Sequence, residues 1–219
     1  MAGSTKSMNA APARRRRAFR RGLVVAVQAL ACFALLFASP LPEAQAQTQR
    51  TWRTDVPGGL WSGTGNWVGG SVPVSGQVAV FGGSGLTLSS TVATAATVGQ
   101  LFFDNSGTTS IILSAASANL TLSAVSGTGI FVNSNSGPVS ISSSGTVLLS
   151  APQTWTNLSS STLSVMSQGW IGLNNSASLT LAGTGPMSLG SFFNSQGNAN
   201  PATSLTVEGS SVYTFGARI

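Results

Sequence analysis

Asp55, Asp104 and Glu208 are the only acids after residue 46, and no two of them are close in sequence. Glycoside hydrolysis needs two carboxylates held at a fixed separation, so here a pair would require the fold to bring Asp104 and Glu208 together. Asp104 sits in Asp104-Asn105-Ser106-Gly107, which reads as a turn. Beyond residue 46 there is no His, no Cys and no Lys. That removes His-based triads, Cys nucleophiles, the commonest zinc ligands and disulfides. A β-helical polysaccharide lyase that takes Lys as base is disfavoured for the same reason. Ser and Thr abound without a candidate base, and no Gly-Lys-Ser/Thr follows the glycines to cradle a phosphate. The expectation is a non-enzyme with no catalytic residue, metal ligand or cofactor. Five tryptophans remain: Trp52, Trp61, Trp67, Trp155 and Trp170. Trp61 and Trp67 are the candidate binding residues, as stacking platforms for a glycan. The competing reading has them covering the open end of a core, where large rings bury much apolar area.

Charge is divided unevenly along the chain. Seven of its ten basic residues (Lys6, Arg14, Arg15, Arg16, Arg17, Arg20 and Arg21) lie before residue 22. From residue 47 onward Arg50, Arg53 and Arg218 face the three acids, and the net charge is zero. Binding to nucleic acid through counterion release needs several cations at phosphates, so nucleic acid is excluded as a partner. A soluble domain is usually about a quarter charged. This one must rely on Ser, Thr, Asn, Gln and backbone amides for solvation, and few charges oppose self-association.

The basic block has its own explanation. Arg14 to Arg21 precede an apolar run from Leu23 to Phe37 that only Gln28 interrupts, and Pro40 and Pro42 come after it. Ala44-Gln45-Ala46 is a small-x-small site that predicts cleavage between Ala46 and Gln47. The run is short of the ~20 residues a membrane span needs. Arg16-Arg17-Ala18-Phe19 partly matches a twin-arginine export signal, which a poly-Arg block matches by chance. Leu30-Ala31-Cys32 resembles a lipoprotein site, but the apolar run continues past Cys32. Residues 1–46 are therefore expected to be a signal peptide with a signal helix, engaging the export machinery.

From residue 47 to the end the pattern is all-β. Residues 47–60 are expected to be an irregular lead-in and 61–219 a repeat domain that stops mid-pattern. Short apolar runs recur at 78–81, 86–88, 101–103, 111–113, 120–122, 130–132, 139–141, 147–149, 163–165, 170–173, 179–181, 187–189 and 205–207. Many have the form apolar-hydroxyl-apolar, such as Leu120-Thr121-Leu122, Leu163-Ser164-Val165 and Leu179-Thr180-Leu181. In a strand, residues i and i+2 share a face, so each triplet points two apolar groups inward and one hydroxyl outward. Strands this short, split by Gly/Ser/Asn turns, favour a solenoid with three strands per coil and a period of about 27 residues. The alternative is a β-sandwich. The stretch 52–67, rich in Trp, is the expected N-terminal cap.

The series Trp61-Ser62-Gly63-Thr64-Gly65-Asn66-Trp67, Val72-Pro73, Ala79-Val80-Phe81-Gly82-Gly83 and Thr97-Val98-Gly99-Gln100-Leu101-Phe102-Phe103 resembles bacterial autotransporter-associated β-strand repeat proteins. So do Gln153-Thr154-Trp155 and Leu179-Thr180-Leu181-Ala182-Gly183-Thr184-Gly185, and the resemblance covers residues 61–189. It implies a right-handed parallel β-helix and a surface-displayed or secreted passenger, structural or adhesive. Its partners would be an outer-membrane translocator and surface glycans or further copies of itself. Members commonly end in an outer-membrane barrel, whose strands of about 10 alternating residues this sequence does not show. The alternative function is a carbohydrate-binding or polysaccharide-degrading β-helix.

Overall fold

The structure is a computed structural model that describes residues 47–174, 177–194, 204–208 and 211–216. The expected signal peptide, its cleavage bond at Ala46 and the final Arg218-Ile219 lie outside the described residues or at their border. Seventeen strands and one 3-10 turn (Thr64–Asn66) make up the described part. In chain order they are β1 (Gln49–Thr51), β2 (Gly58–Leu60), β3 (Val78–Gly83), β4 (Leu88–Val92), β5 (Ala96–Val98), β6 (Gln100–Asn105), β7 (Thr109–Leu113), β8 (Leu120–Leu122) and β9 (Thr128–Val132). They continue as β10 (Val139–Ser143), β11 (Thr146–Leu149), β12 (Gln153–Asn157), β13 (Leu163–Leu173), β14 (Leu179–Gly183), β15 (Met187–Asn194), β16 (Leu205–Val207) and β17 (Tyr213–Phe215).

These strands stack as a β-solenoid of about six turns. The first face is the seven-stranded sheet β1-β3-β6-β9-β12-β14-β16. The second face runs β2, β4, β7, β10, the start of β13, the start of β15, then β17. The third runs β5, β8, β11 and the ends of β13 and β15. Because β13 and β15 turn the corner without a break, the second and third faces form one ten-stranded sheet. Every ladder is parallel, which excludes the sandwich of antiparallel sheets. Arg50, Ala79, Leu101, Ile130, Trp155, Leu181 and Val207 form one column of the first face, at steps of 22 to 29 residues. That brackets the expected period.

The triplet rule explains the packing. Leu120 and Leu122 are fully buried, and Thr121 between them is half-exposed. Val147, Ile171, Leu149 and Leu173 repeat those inward positions one and two coils further on. On the second face Leu88, Val139, Leu163 and Met187 occupy one inward column, and Ile111, Ile141, Val165 and Leu189 the next. Like side chains meet their neighbours about 4.8 Å away along the axis. In the first three coils one inward column is aromatic. Phe81 stacks on Phe103 with centroids 5.5 Å apart, and Trp52 stacks on Phe81 at 5.8 Å.

Corners need more than apolar burial. Where the first face turns into the second, Asn157 is fully buried. Its Nδ2 donates to the Ser161 carbonyl (2.9 Å) and the Pro186 carbonyl (2.8 Å), while its Oδ1 accepts from the Ser159 N–H at 3.0 Å. Asn105 does the same work two coils earlier, donating to the Leu86 carbonyl at 2.8 Å and accepting from the Gly107 N–H. The backbones pass so closely there that a Cβ at Gly185 would lie 1.9 Å from the Ser159 carbonyl oxygen. A second corner turns through Ser126 (φ 49°) and Gly127 (φ 78°), two left-handed residues in succession that close a tight hairpin turn.

The segment 47–60, expected to be irregular, carries β1 and β2 and so belongs to the first coil. At the other end, Leu205, Val207 and Phe215 of β16 and β17 are exposed. Among the described residues no helix is long and apolar enough to cross a membrane.

Candidate functional site

The three acids lie apart. Asp55 is exposed and pairs with Arg53, whose Nε donates to Oδ1 at 2.9 Å. This hydrogen bond holds the Asp55 carboxyl below its ordinary range and raises the Arg53 guanidinium. Asp104 is exposed and accepts from Asn133 Nδ2 at 2.9 Å. Glu208 directly follows β16, where its N–H donates to the Leu181 carbonyl. Between β6, which holds Asp104, and β16 lie four steps of the same sheet. At about 4.8 Å per step the two acids are ~19 Å apart, twice the widest separation used for glycoside hydrolysis. Among the described residues no group of three His, Cys, Asp or Glu side chains could hold a metal ion.

Trp61 and Trp67, the predicted glycan-stacking pair, are buried, with 3% and 1% of their surface exposed. They pack edge to face at 5.0 Å, and Trp67 packs the same way on Trp52 at 5.0 Å. Trp67 Nε1 donates to the Trp61 carbonyl at 2.8 Å, and Trp52 Nε1 to the Val56 carbonyl at 2.9 Å. Neither Trp61 nor Trp67 offers a ring face on which a sugar could lie. These rings close the first coil over Phe81, which is the competing cap reading. Trp155 is likewise fully buried, with Nε1 donating to Gln153 Oε1 at 3.0 Å. Trp170 is more than a third exposed and meets Phe193 edge to face at 5.7 Å on the third face.

Three outward features stand out in their place. Ser89, Ser110, Ser140, Ser164, Ser188 and Thr214 form one unbroken column of hydroxyls on the second face. On the first face Thr128, Thr154, Thr180 and Thr206 form another. Beside the latter, Phe102 and Phe131 project outward and stack almost in parallel, 5.6 Å apart at 6°. They line a groove of about 230 Å³ with Val78, Gln47, Gln49 and Gln100. The third feature is a cleft of about 440 Å³ at the first coil, between residues 72–75 and 92–97 with Trp61 and Ser62. The hydroxyl columns were implicit in the triplets. The Phe102–Phe131 pair could have been found by aligning Leu101-Phe102-Phe103 with Ile130-Phe131-Val132, where the middle aromatic must face out. The cleft leaves no local sequence signal, because it arises from a strand that the first coil lacks.

Comparison of the chain with protein-family models, with characterised proteins and with solved structures finds no match in any of the three.

Proposed function

We propose that this chain is an exported, non-catalytic passenger of the autotransporter type, displayed at the cell surface or secreted, with a structural or adhesive role. The reading rests on the unbroken outward column from Ser89 to Thr214, six hydroxyls on six successive coils. Such a column offers the same weak contact again and again at fixed spacing, and repeated weak contacts along one rigid body add up to useful avidity. Zero net charge from residue 47 onward leaves hydrogen bonding and apolar contact as the means of attachment. The leader, the cleavage site at Ala46 and Gln47 and the resemblance over residues 61–189 support export by this route.

N-terminal sequencing and fractionation of the producing cell test the proposal. The expected result is a chain that begins at Gln47, outside the cytoplasm and open to added protease. A chain that keeps residues 1–46 in the cytoplasm, or one lipidated at Cys32, contradicts it. Polysaccharide digestion assays are expected to be blank.

One observation favours a second reading, carbohydrate binding. The Phe102–Phe131 groove combines apolar rings with the amides of Gln47, Gln49 and Gln100, a mixture suited to sugar rings and hydroxyls. A glycan-array signal abolished by Phe102→Ala and Phe131→Ala would support it over the adhesive reading.

A further inference from the structure

Among the described residues the first coil has strands on two faces and none on the third. β1 and β2 begin the first and second faces, but the third begins only with β5, in the second coil. In the place of that strand, residues 61–77 make the 3-10 turn and a loop, with Trp61 and Trp67 folded into the core. Among the described residues β5 therefore has a strand neighbour on one edge, β8. In a parallel ladder the N–H and C=O of one residue point to the same neighbour, and successive residues alternate. Ala96 N–H donates to the Asn119 carbonyl, and the Val98 carbonyl accepts from Ser123 N–H, both at 2.9 Å and both toward β8. The peptide groups of Thr97 between them point the other way. Two residues on, Gly99 N–H uses that same side to reach the Gln77 carbonyl at 2.9 Å. Among the described residues the chain thus closes the far end of this edge and leaves the Thr97 peptide groups open.

The 440 Å³ cleft lies along this edge. Thr94 and Thr97 line it together with Val72, Pro73 and Val74, and among the described residues no ionisable side chain does. Trp61 borders the cleft as well, and among the described residues its buried indole N–H has no hydrogen-bond partner. Native proteins seldom leave such a donor unpaired.

We propose that this gap accepts an extended, uncharged peptide strand from another polypeptide, which supplies the missing third-face strand of the first coil. Thr97 gives the main-chain hydrogen bonds, as in other strand additions to an open sheet edge. The three residues of β5 offer about 10 Å of edge, so the guest contributes about three residues. Small or β-branched side chains suit the wall of Val72 and Val74. A charged one would lose its hydration with no counter-charge in reach. A peptide fits better than a glycan because the open groups are a matched N–H and C=O on one strand edge. The inference does not depend on the passenger reading.

The test uses the purified protein, labelled with ¹⁵N, and the probe acetyl-Thr-Val-Thr-Val-Thr-amide. With the probe at ten times its Kd, exchange of the Thr97 amide is expected to slow about tenfold, and the Trp61 indole resonance to shift. The same peptide N-methylated at every residue is expected to do neither. Thr97→Pro, on an edge where proline is tolerated, is expected to abolish binding by the unmethylated probe. Should that variant unfold, the N-methylated peptide still decides. Unchanged Thr97 exchange at millimolar probe, equal protection by the N-methylated peptide, or protection by chitotriose in place of the peptide would each overturn the proposal.

Discussion

Asn157 shows how a polar residue can hold an apolar stack together. It is fully buried, yet it serves two carbonyls and one N–H at the corner between faces. Among the described residues Asn157→Ala leaves the Ser161 carbonyl and the Ser159 N–H without partners, while the Pro186 carbonyl keeps the Leu163 N–H, at about 1–3 kcal/mol for each group unsatisfied. Urea unfolding followed by tryptophan fluorescence is expected to show a loss of about 3 kcal/mol. Gly185→Ala is expected to be destabilising too, because its new Cβ meets the Ser159 backbone at 1.9 Å and a corner fixed by Asn157 cannot yield. Thr180→Val on the outer first face is the control, with a change expected within about 0.5 kcal/mol. Equal effects at all three positions would contradict the division into structural corners and free outer columns.

At the scale of the strand, β12 carries the sharpest expectation. Gln153 and Asn157 point inward on either side of Trp155 along the same strand, where the pleat calls for apolar residues. Gln153 Nε2 donates to the Leu122 and Ala151 carbonyls at 3.2 and 3.1 Å, and its Oε1 receives the Trp155 indole N–H. Gln153→Leu makes the core more apolar and is still expected to lower stability by about 1–3 kcal/mol, because the Ala151 carbonyl and the Trp155 indole N–H lose their Gln153 bonds while the Leu122 carbonyl keeps Ser150. A melting temperature that rises would refute this. Leu122→Ala, a deletion in the apolar part of the core, is expected to cost about 2–5 kcal/mol. The same contrast explains what the sequence revealed. Triplets such as Leu120-Thr121-Leu122 and Leu163-Ser164-Val165 announced their strands because side-chain chemistry alternated with the pleat. β12 escaped that pattern because its inward positions 153 and 157 are polar, satisfied partly within their own coil and partly by the Leu122 and Pro186 carbonyls of the neighbouring ones. β2, with its Gly58-Gly59, and β5, with Ala96-Thr97-Val98, have too little apolar contrast to register. Trp61 and Trp67 were legible as a cap, whereas the cleft beside Trp61 depends on the absence of a strand, which no local motif announces.

For the molecule as a whole, stability is a sum of coil-to-coil interfaces with very little charge in it. The exposed Arg53–Asp55 pair holds the Asp55 carboxyl down, so its contribution is present above the unfolded pKa and fades as pH falls through the folded one. Burial raises the Tyr213 hydroxyl, so its contribution is present below the ordinary tyrosine pKa and is lost as pH rises through the folded value. No Lys, His or Cys lies between residues 47 and 219. Thermal unfolding is therefore expected to change little from about pH 5 to 9, with losses only beyond either end, and to respond weakly to salt. A steep change near neutrality would mean that an ionisable group carries more of the fold than the geometry assigns it.

The coil stack itself is tested most directly by distances along one hydroxyl column. Spin labels are placed in pairs through Ser89→Cys, Ser110→Cys, Ser140→Cys, Ser164→Cys and Ser188→Cys, with Cys32→Ser removing the native thiol. The predicted separation from position 89 grows by about 4.8 Å with each successive position and reaches ~19 Å at position 188. A separation that fails to grow in that order, with position 188 closer to 89 than position 140 is, would contradict the parallel solenoid.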